Sequence, residues 1–247
     1  MSNYEALEDI LRHSERIVFF GGAGVSTESG IPDFRGAKGI YKEKFGTLQP
    51  ETIVSGRFFK SHPEEFYKFY KEKMLFPNAR PNGAHKALAI LERTGKLSAV
   101  VTQNIDGLHQ IAGSKRVIEL HGTAQTNYCV NCAAHYKMDY IVESDGVPKC
   151  KACGGLVRPD VTLFDEELPD EAVKQAVDVI SDADTLIIAG TSLTVMPASA
   201  LPYYFEGKKL VIINFDETSL DSAASLVIRE PVGKVLYEAV KSVFPRY

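Results

Sequence analysis

The sequence predicts an α/β protein: a doubly wound, Rossmann-like parallel sheet carrying a smaller inserted module of helices and a zinc ribbon. Three observations predict it. Short, β-branched apolar runs recur without alternation, as in parallel strands covered on both faces. Helical periodicities fall between those runs, the arrangement of βαβ units. Two C-x-x-C pairs, Cys129/Cys132 and Cys150/Cys153, then break the rhythm and mark an insert.

Tyr4, Leu7, Ile10 and Leu11 share one helical face, so an amphipathic helix opens the chain. Ile17 to Phe20 reads as a buried strand running into Gly21-Gly22-Ala23-Gly24, with a helix expected beyond. Residues 36–81 are aromatic-rich and helical in places, with Phe66, Tyr67, Phe69 and Tyr70 close together. A helix over Ala84–Leu91 comes after the cap candidate Asn82, and strands come next at Ala99–Val101 and Val117-Ile118. Residues 123–159 hold the cysteines. A helix over Ala172–Ile180 is preceded by Pro169-Asp170, strands lie at Leu186–Ala189 and Leu210–Ile213, and Val235–Val243 closes the chain as a helix. The expected division is a large lobe of roughly 1–35, 82–122 and 160–247 and a small lobe of roughly 36–81 and 123–159, within one catalytic unit. Ligands of such sheets bind at the carboxyl ends of the strands, so the cleft between the lobes is the expected active site.

Bulk properties exclude several classes. A chain of 247 residues buries roughly 70–75% of its unfolded surface and needs no disulfides. The net charge of −4, with mixed signs throughout, offers no basic footprint for nucleic acid and no polybasic membrane patch. The apolar run Ile17–Phe20 is far too short to span a bilayer, and the N-terminus is acidic and polar. A cytoplasmic protein is expected, with no nucleic-acid or membrane partner. No long coiled-coil pattern is visible, and a monomer is the expectation.

Each C-x-x-C turn aims two thiolates at one ion, and two turns complete a tetrahedral zinc shell with no open position. Seventeen residues separate Cys132 from Cys150, within zinc-ribbon spacing. The alternatives are two disulfides or a redox pair. A reducing compartment disfavours the first, and a redox pair leaves the second C-x-x-C unexplained. One structural zinc ion is the expected metal.

The turn Gly22-Ala23-Gly24-Val25-Ser26 suits close backbone approach to a pyrophosphate. It departs from the dehydrogenase fingerprint, since Gly30 lies six residues after Gly24 rather than three. No clear ribose-binding acid comes after it either; Glu43 is at about the right distance but not at a strand end. The residues just beyond the turn are more specific. The stretch Gly22-Ala23-Gly24-x-Ser26 leading into Gly30-Ile31-Pro32-Asp33-Phe34-Arg35 resembles the sirtuin family of NAD-dependent protein deacylases, of bacterial type. So do Thr102-Gln103-Asn104-Ile105-Asp106, His121-Gly122, the two cysteine pairs, Gly190-Thr191-Ser192-Leu193 and Asn214, in the family's order and over nearly the whole chain.

The resemblance implies an enzyme that transfers the acyl group of acyl-lysine to ADP-ribose, consuming NAD and releasing nicotinamide and O-acetyl-ADP-ribose. Such chemistry needs a positioned base to activate a ribose hydroxyl. His121 is the candidate: its ordinary pKa of about 6.5 suits proton transfer near neutrality, it comes after the Val117–Leu120 strand, and it matches the family's base. His13, His62, His85 and His135 read as ordinary structural histidines, and His109 as one that orients its loop. The resemblance further implies that Asn104 positions ribose and a water. Asp106 and the Ile105 backbone hold the nicotinamide carboxamide, and Gln103 contacts ribose. Phe34 covers the nicotinamide, Arg35 meets phosphate or an acidic partner, and Ala23 and Thr27 approach phosphate and ribose. Asp33 binds cofactor or caps its loop. Gly190, Thr191 and Ser192 serve phosphate or ribose, Asn214 the adenosine ribose, and Val232 the adenine.

Residues 158–166 resemble the family's substrate segment, with Val161, Thr162, Leu163 and Phe164 beside the peptide and Val195-Met196-Pro197 opposite. A peptide added as a strand gains main-chain hydrogen bonds with little sequence choice. Many members carry Phe-Gly-Glu where this chain has Phe164-Asp165-Glu166, which removes a permissive backbone position. One subfamily removes acidic acyl groups with Tyr and Arg three residues apart. Here Tyr67 is followed by Tyr70, and Lys71 points about 100° away on a helix. Acetyl or other neutral acyl groups are therefore expected. The alternatives are a mono-ADP-ribosyltransferase, a non-catalytic NAD or ADP-ribose binding module and, least favoured by glycine spacing, a zinc-containing dehydrogenase.

Overall fold

Helix α1 (Asn3–His13) opens under a capping box: Ser2 Oγ accepts from Glu5 N–H, and the Glu5 carboxylate accepts from Ser2 N–H. The structure, a computed structural model, describes residues 2–36, 39–40 and 48–247; Glu43 lies outside them. Strand β1 (Ile17–Gly21) is buried at every residue. The turn after it leads into a 3-10 helix (Ala23–Ser29), not an α-helix. The reason lies in its first turn, where Gly22 N–H and Gly24 N–H donate to Ala189 O and Gly190 O across the sheet. The segment is drawn against a neighbouring strand end and tightens to the i→i+3 pattern.

Three short helices come next, α2 (Pro50–Ile53), α3 (Gly56–Ser61) and α4 (Pro63–Lys73). Helix α5 (Gly83–Arg93) starts at Asn82 as expected: its Oδ1 accepts from Ala84 N–H, and His85 Nδ1 accepts from Asn82 N–H. The rest of the chain runs β2 (Leu97–Thr102), α6 (Leu108–Ala112), β3 (Val117–Glu119), β4 (Gly122–Cys129), β5 (His135–Lys137), α7 (Met138–Glu143) and β6 (Val157–Val161). It ends with α8 (Asp170–Asp182), β7 (Thr185–Ala189), β8 (Lys209–Ile213), β9 (Leu226–Ile228) and α9 (Val232–Val243).

The large sheet has the order β3-β2-β1-β7-β8-β9, with every pairing parallel. This is the doubly wound order, and the connection reverses direction between β1 and β7. Side chains alternate across the sheet, and both faces are covered. Ile17, Phe19, Val100, Ile187 and Val211 pack on α1, α5 and α9, while Val18, Phe20, Val101, Ile188 and Ile212 pack on the α8 side. Burial on both sides explains why these strands read as unbroken apolar runs. Strand β9 is absent from the sequence pattern.

The small sheet, β5-β4-β6, is antiparallel and likewise absent from the sequence pattern. Its core gathers Phe59, Phe66, Tyr67 and Tyr70 with Cys129, Ile141, Cys150 and Val157. Phe69 faces a second small cluster with Ile40, Ile53 and Val54. The aromatic run on α4 thus serves two cores.

Candidate active site

The close approach of β1 and β7 at their C-terminal ends shapes the site. A Cβ built on Gly24 would lie 2.7 Å from Gly190 Cα, and one on Gly22 would lie 2.8 Å from Gly190 O. Glycine is needed here for strand-end packing as well as for an open cradle. Gly190 itself has φ +59°, a left-handed value that suits glycine. A cavity of 750 Å³ opens directly above this point.

All the expected cofactor residues line that cavity: Ala23, Thr27, Asp33, Phe34, Arg35, Gln103, Asn104, Ile105, Asp106, His121, Gly190, Thr191, Ser192, Asn214 and Val232. The substrate candidates Val161, Thr162, Leu163, Phe164 and Val195 line the same space. Seven segments from distant parts of the chain therefore converge on one volume. Residues to which the sequence assigns no role also line it, among them Ser26, Gln125, Phe215 and Asp216. Ser26 lies inside the glycine-rich motif, which is the available signal; Gln125, Phe215 and Asp216 lie in no such motif.

Ser26 organises the polar floor. Its Oγ donates to Asp106 Oδ2 at 2.6 Å and accepts from Asn104 Nδ2 at 3.1 Å. Asp106 Oδ1 accepts from Leu108 N–H at 2.9 Å, and Gln125 Nε2 donates to Asp106 O at 2.8 Å. Asn104 N–H is held by Thr102 Oγ1 at 3.0 Å. A carboxylate with four lone-pair sites still has capacity for an amide donor.

His121 lies just after β3, on the loop into β4. Its Nδ1 lies 2.8 Å from Gln103 O. A carbonyl only accepts, so Nδ1 carries the proton and Nε2 keeps its lone pair. Burial lowers the ring's pKa from its ordinary value, opposed by the Gln103 bond. His121 is therefore neutral and basic at Nε2 at neutral pH. The His85 and His109 rings meet at a tilt of 58° with centroids 4.7 Å apart, both with pKa values lowered by burial.

Several expected ligands are tied to protein groups. Gln103 Nε2 donates to Thr191 Oγ1 at 3.1 Å, Ser192 and Thr194 share a hydroxyl bond of 2.8 Å, and Asn214 Nδ2 donates to Asp216 O at 2.9 Å. Thr27 Oγ1 donates to Gly24 O at 2.9 Å. Asp33 Oδ1 caps its own loop by accepting from Gly36 N–H at 3.0 Å, and Arg35 pairs with Glu51 at 3.0 Å.

The cysteines form a separate centre. Their four sulfurs lie within 4.8 Å of one another, with Cys129–Cys153, Cys132–Cys150 and Cys132–Cys153 separations of 3.4, 3.5 and 3.4 Å. Zn–S bonds near 2.3 Å place tetrahedral sulfurs about 3.8 Å apart, whereas a disulfide is only about 2.05 Å long. The donor set fits one zinc ion, and all four cysteines are free of disulfides. The Tyr136 hydroxyl donates to Cys150 Sγ at 3.1 Å and pulls that thiol's pKa down to about 6. Four sulfurs leave no ligand position for substrate, so the centre is structural.

The model of the Sir2 family matches residues 22–197. This chain belongs to the Sir2 family. Among curated proteins, an NAD-dependent protein deacetylase of Clostridium perfringens is 58% identical over 236 residues, covering 95% of this chain and 97% of its own. One of Thermotoga maritima is 48% identical over 225 residues, covering 88% and 89%. Solved Sir2 structures superpose over the same extent. A Sir2 variant with deacetylated p53 peptide and 3′-O-acetyl ADP ribose gives a TM-score of 0.88 at 45% identity, covering 98% of each chain. A Sir2 homologue with NAD gives 0.87 at 39% identity, covering 97% of this chain and 93% of the other. The doubly wound sheet, the small antiparallel sheet and the cysteine centre are thus the Sir2 architecture in this member.

Proposed function

We propose that this Sir2 member is an NAD-dependent protein-lysine deacetylase, transferring the acyl group of acyl-lysine to ADP-ribose and releasing nicotinamide and O-acetyl-ADP-ribose. One observation supports it above the rest: His121, Asn104 and Asp106 converge on a single cavity above the β1/β7 switch point, shared with the acyl-lysine segment. NAD supplies the breakable nicotinamide–ribose bond and the ribose hydroxyl that takes the acyl group.

The residues divide the work. The glycine turn with Ala23 and Thr27 receives the pyrophosphate, and Arg35 closes on it from the loop. Asp106, fixed by Ser26 and Leu108 N–H, holds the carboxamide together with the Ile105 backbone. Asn104, fixed by Ser26 and Thr102, orients the ribose beside Gln103. Asp33 shapes the loop that brings in Phe34, which covers the nicotinamide face and excludes water. Gly190, Thr191, Ser192, Asn214 and Val232 serve the adenosine half. His121 Nε2 takes the proton from a ribose hydroxyl, and Gln103 O stabilises the imidazolium that results.

The acyl-lysine peptide lies as a strand between Val161–Phe164 and Val195, so main-chain bonds dominate its affinity. Tyr70 stands where an acid-binding Arg would be, and Lys71 Nζ is committed to Ser144 O and Gly146 O. The pocket therefore favours acetyl and other neutral acyl groups. The division into a NAD-binding lobe (residues 1–35, 82–122, 160–247) and a small lobe (36–81, 123–159) belongs to the same proposal. So do a monomeric state, a cytoplasmic location and the absence of nucleic-acid or membrane partners. The net charge of −4 supports the last, and no helix among the described residues is long and apolar enough to cross a membrane.

The test is incubation with an acetyl-lysine peptide, with and without NAD, read by mass spectrometry. O-acetyl-ADP-ribose and deacetylated peptide, formed only with NAD, are expected. A peptide gaining ADP-ribose instead establishes the transferase reading, and bound but unconsumed NAD the binding-module reading.

A further inference from the structure

Asp165 occupies a backbone conformation that belongs to glycine. Its φ is +68°, and it stands in the loop just after β6, in contact with the main cavity. Few side chains tolerate that region, and Asp is among the better ones because its carboxylate can bond locally. Here the carboxylate bonds outward, to α3. Oδ1 accepts from Gly56 N–H at 2.9 Å, and Oδ2 accepts from Arg57 N–H at 3.3 Å and Arg57 Nε at 2.8 Å. The neighbouring backbone is stitched to the same place: Phe164 N–H donates to Val54 O, and Gly56 N–H also donates to Phe164 O, each at 3.0 Å. From the other side Glu166 is anchored by both guanidinium nitrogens of Arg158, at 3.0 and 2.9 Å.

The main chain of Asp165 is left available. The residue as a whole is exposed, yet its side chain is only 22% exposed, so the accessible part is largely backbone. Among the described residues neither its N–H nor its C=O has a hydrogen-bond partner. The flanking backbone groups Phe164 N–H, Phe164 O and Glu166 N–H are all bonded. One free donor and one free acceptor remain at the edge of the acyl-lysine channel, held in a fixed orientation.

We propose that Asp165 is a positioning residue for the acyl-lysine peptide: its carboxylate, clamped by Gly56 and Arg57, holds its own backbone N–H and C=O in register to pair with the substrate main chain. Where a glycine would enter this conformation freely and leave it as freely, the aspartate enters it and is locked there. The inference rests on the peptide-binding role proposed above for this segment. It also predicts low sequence selectivity from this loop, since the groups offered are backbone groups.

The experiment measures the Kd of a fluorescent acetyl-lysine peptide by anisotropy and, in parallel, the KM for peptide and for NAD. Asp165→Ala keeps the unfavourable backbone conformation and loses the clamp. Peptide Kd and KM are expected to rise about fivefold or more, with the KM for NAD unmoved. Asp165→Gly is expected between Ala and wild type, and Asp165→Asn, which can still accept from Gly56 and Arg57, within about twofold of wild type. Arg57→Gln tests the clamp from a side chain that is 89% exposed and does not depend on Asp165 variants folding. It should weaken peptide binding at low salt, with the difference from wild type shrinking by about 0.5 M salt. Unchanged peptide Kd in Asp165→Ala or Arg57→Gln, or an equal rise in the KM for NAD, overturns the clamp. Failure of the wild-type protein to bind the peptide at all overturns the functional reading instead.

Discussion

Two adjacent tyrosines of the small lobe should respond to the same mutation with opposite signs. Tyr67 and Tyr70 are each only 1% exposed. The Tyr67 hydroxyl donates to Val157 O of β6, whereas no partner exists for the Tyr70 hydroxyl among the described residues. The Tyr70 ring stacks on Phe66 with centroids 5.4 Å apart and meets Tyr67 edge-on at 6.4 Å. Those contacts survive replacement by Phe. Desolvation raises both phenol pKa values, so both hydroxyls stay protonated at working pH. Burying an unpaired hydroxyl costs about 1–3 kcal/mol, while a made hydrogen bond contributes about 1 kcal/mol net. Tyr70→Phe should therefore be neutral or stabilising by up to about 1 kcal/mol, and Tyr67→Phe destabilising by about 1 kcal/mol or somewhat more. For a chain of this size that corresponds to a Tm unchanged or raised by up to about 4 °C for Tyr70→Phe, and lowered by about 2 to 4 °C for Tyr67→Phe. Calorimetry on the zinc-loaded protein, with urea unfolding in parallel, measures both. A Tm for Tyr70→Phe that falls as far as that of Tyr67→Phe would show the Tyr70 hydroxyl to be bonded, and would refute the reasoning. Because Tyr70 also lines the cavity, Tyr70→Phe should leave acetyl turnover intact and gain no succinyl turnover.

The site itself sets further expectations. Since burial depresses the His121 pKa, kcat/KM should rise with pH through an acid limb centred below 6.5 and be flat between about pH 7 and 8; a limb centred above 7 contradicts the assignment. His121→Ala should abolish turnover, read by O-acetyl-ADP-ribose formation, while leaving Tm nearly unchanged. Purified protein should carry one zinc per chain. Chelation should unfold the small lobe, because zinc binding of about 10–16 kcal/mol supports a core that includes Cys129 and Cys150; retained near-UV circular dichroism after chelation would refute that role.

The large sheet is legible in the sequence because its strands are buried on both faces, and Ile17–Phe20 or Leu210–Ile213 can only sit there. The α5 start is legible because Asn82 caps it through local bonds. The small sheet is not: β4 alternates unevenly across a register shift between Thr123 and Asn127, and its partners are short. The 3-10 geometry after β1 depends on carbonyls supplied from the end of β7, far along the chain, and no local pattern encodes it. The candidate site residues come from motifs, and they lie around one cavity. Ser26, which ties Asn104 to Asp106, is visible only as a motif position, because its partners lie 78 and 80 residues away. The absence of glycine at position 165 reads, in the sequence, as a loss of backbone freedom. The left-handed φ is kept, and α3 supplies the bonds that hold it.

A crystal structure of the ternary complex with NAD and an acetyl-lysine peptide tests the central claim most directly. With Nδ1 still bonded to Gln103 O, His121 Nε2 should lie about 2.6–3.2 Å from a ribose hydroxyl of the nicotinamide side. A ring turned away from the ribose, with another side chain or only solvent at that hydroxyl, would contradict it.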